Sequence, residues 1–246
     1  MSITSSRESE VVETMFRANK RRISLALDYK KIPLGGSVPA NIKLFLHEFL
    51  ETLKRALDYT AHDIADKYPP RNGGKNIYFP IAGRSEDRST FEAKLENWFV
   101  GLKMGNRALY DCLCDVQHFG RDAWLADLNA FANEGKHEKL TNQVAVATEH
   151  GAVLSNNLFM SPGSRIENKG EGTLLLTCGD KKLYMRGPSI LTTENVEDFE
   201  RDAGFPVVRF PWFNLVRGVS RQPVFPFVET ALTNTEEVTK KVYRLL

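Results

Sequence analysis

Apolar residues recur at helical spacing through most of the first 140 positions. Between residues 41 and 68, Ile42, Leu46, Phe49, Leu50, Leu53, Leu57 and Ile64 fall, at about 100° per residue, in a stripe roughly 100° wide. That is the width of a core-facing side. Opposite them stand Glu51, Arg55, Asp58 and His62, spaced four, three and four apart. The pattern predicts one long helix, stopped by Pro69 and Pro70. Before it, Val11, Val12, Met15 and Ala18 predict a helix over residues 7–27, with Lys20, Arg21 and Arg22 suiting its C-terminal end. Pro33, Gly35, Gly36 and Pro39 mark the loop between the two. Residues 71–75 (RNGGK) form a basic loop without phosphate-loop spacing, and residues 76–81 are extended. Three more helices are predicted. One covers 89–102, with Phe91, Leu95, Trp98 and Leu102 on one stripe. The next covers 107–116, around Leu109, Leu113 and Val116. The last is capped by Asp122, runs to about 134, and buries Trp124 or Leu125, Leu128 and Phe131.

Beyond residue 142 the period shortens. Residues 144–147, 172–177 and 182–186 are short β-like runs between Gly, Asn, Asp and Pro. Residues 193–202 suit an amphipathic helix, and 229–246 a closing helix through Leu232, Val238, Val242 and Leu245. Residues 207–210 and 213–216 are extended, with Pro211 between them arguing against a central strand. The expected fold class is α+β. An antiparallel helical bundle over 1–142 is packed against a β-rich region over 143–246 that ends in a helix.

Composition changes this picture little. A net charge of +2 requires any phosphate site to be a local patch. The cysteines, Cys112, Cys114 and Cys178, fit neither a redox CxxC nor a four-ligand zinc spacing. Their odd number and the absence of a signal peptide favour reduced thiols in the cytoplasm. No apolar run approaches the ~20 residues of a membrane span, so no membrane association is expected.

The chemistry concentrates on the long helix. Arg55 and His62, almost two turns apart, share a face, with Asp58 in reach of either. These residue types suit RNA cleavage without metal or cofactor. An imidazole moves the proton, a guanidinium clamps phosphate, and a carboxylate fixes the imidazole tautomer. The plainer reading is a solvated face held by Glu51–Arg55 and Asp58–His62 pairs. A second group, Asn133, Glu134, Lys136 and His137, stands at the end of the 122–134 helix, with Gly135 as its expected stop. In it, Lys136, His137 and Asn133 are candidate substrate contacts. Glu134 and His137 also form one E-x-x-H, but a carboxylate-bridged di-metal bundle needs two. The aromatic residues between Phe205 and Phe227, interleaved with Arg209, Arg217 and Arg221, suit either a small β core or single-stranded nucleic acid.

Arg-x6-His on a long helix of a helical bundle resembles the HEPN superfamily. The run at 53–59 (LKRALDY), the Tyr78-Phe79-Pro80 step and Asn133-Glu134-Gly135-Lys136-His137 are similar to uncharacterised bacterial HEPN-like proteins, over about residues 40–142. The resemblance implies a HEPN-like bundle and an RNA-directed protein of toxin or antiviral type. It also implies a homo-oligomer with composite sites and a metal-independent ribonuclease using Arg55 and His62, with RNA or a nucleotide as partner. Active members usually carry a polar residue directly after the arginine, where Ala56 stands here. The alternative is a non-enzymatic binding or assembly module whose polar helix face is a dimer or partner surface.

Overall fold

The computed structural model describes residues 6–32, 36–71, 73, 76–119, 123–137, 142–154, 159–160, 164–178, 181–193, 195–203, 205, 208–217 and 220–246. The architecture is mixed α/β, with a helical N-terminal region, small β-sheets and a C-terminal helix. The helices are α1 (Glu8–Lys30), α2 (Ala40–Lys67), α3 (Arg88–Trp98), α4 (Leu102–Gly105), α5 (Arg107–Asp115), α6 (Trp124–His137) and α7 (Val224–Leu245). The strands are β1 (Asn142–Val153), β2 (Phe159–Met160), β3 (Arg165–Asn168), β4 (Thr173–Cys178), β5 (Lys181–Arg186), β6 (Ser189–Thr192), β7 (Val208–Arg217) and β8 (Ser220–Pro223).

Two compact units divide the chain, and both are discontinuous. One holds Met1–Asn19, Leu46–Thr141 and Phe227–Leu246, and the other Lys20–Phe45 and Asn142–Pro226. This differs from a single boundary at 142, because most of α7 belongs with the helices that precede the strands.

In the first unit the apolar stripe of α2 is buried as its spacing requires, with Leu53, Leu57 and Ile64 fully covered. Leu128 and Phe131 of α6 are buried too, and Phe131 meets Phe227 of α7 edge-on at 5.3 Å between centroids. Trp98 departs from expectation. It is 39% exposed, and Phe99 is buried in its place. The reason is local: α3 ends at Trp98, Phe99 takes φ −137° and ψ 77°, and Gly101 turns left-handed at φ +78° before α4 begins. A helix over 89–102 would have kept Trp98 on the Phe91–Leu95 stripe, but the break rotates Phe99 inward instead.

In the second unit β2-β1-β7-β8 form an antiparallel sheet, and β3-β6 and β4-β5 form two-stranded ladders. One apolar cluster contains Leu183, Met185, Leu191, Val196 and Phe205. Tyr29 packs its ring against Phe213 and Phe225 at 5.1 and 5.2 Å, and its hydroxyl donates to Gln143. Phe205, Phe213 and Phe225 are all buried, so these aromatics are core.

Three further expectations change. The amphipathic helix over 193–202 is only a 3-10 turn, Val196–Asp198. β7 runs through Pro211 although it lies inside the sheet. β8 pairs only with Asn214–Arg217, so at Pro211 the strand has β1 alone as neighbour, beside a register shift. A missing N–H costs least at such a place. Lastly, Lys20, Arg21 and Arg22 are not at a helix end, because α1 continues to Lys30 and Arg22 is 2% exposed.

Candidate functional site

α2 presents its polar column away from its buried stripe. Arg55 is exposed, while Glu51, Asp58 and His62 are half-buried. Seven residues at 1.5 Å rise separate Arg55 and His62 by about 10 Å along the axis. Ala56, next to Arg55, is fully buried in the core.

The column is not held by the Glu51–Arg55 and Asp58–His62 pairs that its spacing suggests. Glu51 Oε1 lies 3.9 Å from His47 Nε2 on the preceding turn. The Asp58 carboxylate turns sideways and accepts the Phe79 backbone N–H at 2.9 Å. Lys54, on the same flank as Asp58, donates to Asn133 Oδ1 at 2.7 Å, and Asn133 Nδ2 donates to Asn129 at 3.0 Å. Neither Arg55 nor His62 has a hydrogen-bond or ion-pair partner among the described residues.

The Lys54–Asn133 bond draws together the two groups that the sequence singles out. It sets the last turns of α6 beside α2, one residue from Arg55. α6 does not stop at Gly135 but runs through it to His137. The side chains of Lys136 and His137 lie outside the described residues, as does the expected cap Asp122. Asn133, a candidate substrate contact, is committed to Lys54 and fastens two helices.

Asp63 is a residue that the sequence reading passed over. It is 7% exposed and accepts four hydrogen bonds: from the Arg7 backbone N–H at 2.8 Å, the Arg7 guanidinium at 2.6 Å, Ser6 Oγ at 3.3 Å and the Tyr243 hydroxyl at 2.9 Å. It therefore closes the N-terminal end of α1 and joins α1, α2 and α7. Asp66 takes the other side of the Arg7 guanidinium at 2.9 Å. The two carboxylates, Asp66 first, push the Arg7 pKa up. Burial and then the bond to Asp63 push the Tyr243 pKa up. A signal was available. Counted at about 100° per residue, Asp63 lies only about 40° outside the apolar stripe, where a carboxylate must find donors.

Asp58 holds the segment around the Tyr78-Phe79-Pro80 step, whose anchoring the sequence does not show. Residues 76–83 contain neither helix nor strand. Gln117 nevertheless accepts the Ala82 N–H at 2.9 Å and donates to Pro80 O at 3.1 Å. Phe79 and Ala82 are buried, and Tyr78 is 62% exposed.

Among the described residues no group of three His, Cys, Asp or Glu side chains is placed to hold a metal ion. No described helix is long and apolar enough to cross a membrane. Family models, curated proteins and solved structures give no match to the chain.

Proposed function

We propose that the chain is a cytoplasmic, RNA-directed protein whose 40–142 region is HEPN-like, and that Arg55 and His62 form a metal-independent ribonuclease site. One observation carries this reading. In a helix where Glu51, Lys54, Asp58 and Asp63 all have internal partners, Arg55 and His62, on the same face, have none among the described residues. A guanidinium so placed is ready for the non-bridging oxygens of a phosphodiester. About 10 Å along the axis is within the combined reach of the two side chains around one phosphate and its neighbouring ribose. The ribose 2′-oxygen attacks phosphorus as His62 takes the 2′-hydroxyl proton, and the bond from phosphorus to the 5′-oxygen breaks as water protonates the departing 5′-oxygen. The products are a 2′,3′-cyclic phosphate and a 5′-hydroxyl.

RNA should be cleaved with EDTA present and give cyclic phosphate ends. His62→Ala should lower the rate ~10²–10⁴-fold, and Arg55→Ala should do comparable harm while both variants stay folded. Intact RNA with the wild-type protein would dismiss the activity.

The alternative, a non-enzymatic dimer or partner surface, is favoured by a different observation. Asp58 Oδ1 accepts the Phe79 amide and buried Ala56 follows Arg55, so the column pairs the imidazole with neither a carboxylate nor a polar neighbour of the arginine. Sedimentation of Arg55→Ala and His62→Ala beside the wild type distinguishes the two, because the alternative requires an assembly that these variants weaken.

A further inference from the structure

We propose that Asp58 and Tyr78 form a substrate-positioning arm, in which Asp58 holds the Phe79 amide so that the Tyr78 ring stands beside Arg55 and His62 and stacks on a nucleobase next to the bound phosphate. The inference rests on the RNA reading above and adds to it a strand state and two roles.

An irregular segment is ordinarily free to move its exposed side chains. This one is fastened at three backbone groups, by Asp58 at the Phe79 N–H and by Gln117 at the Pro80 carbonyl and the Ala82 N–H. Phe79 and Pro80 are buried and held, while Tyr78 just before them is 62% exposed, so the anchored backbone leaves the Tyr78 ring outward. A tyrosine on such a backbone has two side-chain torsions left to fix, so it meets a flat partner at little entropic cost.

The same hydrogen bond sets the location. Phe79 N lies 2.9 Å from Asp58 Oδ1. The Tyr78 Cα is the next one back along the chain, about 3.8 Å from that of Phe79. Asp58 is one turn from each of the other two residues, about 4.5 Å along the axis from Arg55 and about 6 Å from His62. An aromatic face beside a guanidinium open to phosphate is the pairing that holds an unpaired nucleotide. Bases inside a duplex are already stacked on both faces, so the arm selects single-stranded RNA.

Asp58 thus acts through Phe79, as a positioning residue, and not as the group that orients the His62 imidazole. The two roles differ in what the conservative variant does. An asparagine still offers an oxygen to the Phe79 N–H, but it cannot stabilise an imidazolium as a carboxylate does.

The test uses a fluorescein-labelled single-stranded RNA oligonucleotide and its duplex, read by anisotropy in EDTA on the His62→Ala background. Tyr78→Ala and Asp58→Ala should each weaken single-strand binding on the order of ten- to hundredfold, with little effect on the duplex. The double variant should be no weaker than either single one, since the two residues act as one device. Tyr78→Phe should keep the affinity that Tyr78→Ala loses, and Asp58→Asn should keep what Asp58→Ala loses. In the cleaving protein, Tyr78→Ala should raise KM more than it lowers kcat, and Asp58→Asn should leave the pH–rate midpoint in place. A Tyr78→Ala protein that binds as its parent does, while Arg55→Ala loses binding, overturns the arm and leaves the phosphate reading standing. A moved pH–rate midpoint in Asp58→Asn also overturns it, by returning Asp58 to the imidazole. No binding of either RNA by the parent overturns arm and RNA reading together. Tyr78 is a surface residue, so its variants decide the matter even if Asp58→Ala fails to fold.

Discussion

Asp63 and His62 are neighbours with opposite duties. His62 is half-buried and has no partner among the described residues, whereas Asp63 is covered and accepts four hydrogen bonds, from Ser6, Arg7 and Tyr243. Removing the Asp63 carboxylate leaves the Arg7 N–H and the Tyr243 hydroxyl without their acceptor. Hydrogen bonds to a charged group are worth about 1.5–3 kcal/mol, and Arg7 is partly wetted, which favours the lower half of that range. Asp63→Ala should accordingly destabilise the protein by ~1.5–2 kcal/mol in urea melts, and Asp63→Asn by less, because it keeps an acceptor. A loss below about 0.5 kcal/mol, the scatter of ordinary surface substitutions, would mean that solvent replaces the carboxylate. At this scale the sequence is legible where helix geometry alone decides. Arg55 outward, with Leu53 and Leu57 inward, follows from 100° per residue. It is silent where a partner comes from far along the chain. Phe79 for Asp58, Asn133 for Lys54 and Arg7 for Asp63 are separated by 21, 79 and 56 residues. A periodicity argument offers Asp58 only Lys54, Arg55 and His62, all on its own helix, so the partners look local on paper and are not.

Helices with strong apolar stripes were readable to within a few residues, and misreadings gather where a short feature interrupts the period. The break between α3 and α4 is the clearest. Trp98 satisfies a helical stripe over 89–102, but Gly101 adopts φ +78°, a conformation that an L side chain enters at a cost of roughly 1–2 kcal/mol. Nothing lies within 4 Å of where a Cβ on Gly101 would stand. Its requirement is therefore one of torsion, not of space. Gly101→Ala should lower stability by about 1–2 kcal/mol, and Gly101→Asn by less, since asparagine tolerates the left-handed region. Equal stability of the alanine variant in thermal melts would show that residues 99–102 can relax into continuous helix. The same limit explains residues 193–202, where amphipathic spacing describes a stretch that makes a single 3-10 turn. It explains β7 too, where Pro211 is tolerated because β8 is too short to reach it. Neither strand length nor sheet order is written in a ten-residue window.

On the scale of the whole chain, the first unit is built from three separated pieces, and its last piece is α7. Phe227, Val228, Ala231, Leu232, Val238 and Val242 of that helix are buried. Polar contacts accompany them within the same unit. Asn106 Nδ2 donates to Leu245 O at 2.7 Å, Tyr243 donates to Asp63 at 2.9 Å, and Lys67 donates to Leu246 O. Taking each apolar side chain at about 1.5–3 kcal/mol, except for the single methyl of Ala231, their burial is worth on the order of ten kcal/mol. That is comparable with the entire stability of an ordinary domain, about 5–15 kcal/mol. A bundle ending at residue 142, as the helical pattern alone suggests, would lack a wall of its own core. Residues 1–142 expressed alone should therefore show helical circular dichroism without a cooperative thermal transition, and should bind a dye that reports exposed apolar surface. Adding a peptide of residues 224–246 should restore cooperativity, with a midpoint that rises with peptide concentration as linkage requires. Val238→Asp in that peptide should abolish the rescue by placing an unpaired charge at a buried position. If the fragment melts cooperatively without the peptide, and the peptide leaves its midpoint unmoved, α7 is dispensable to the helices and the boundary at 142 is the better description of how this chain folds.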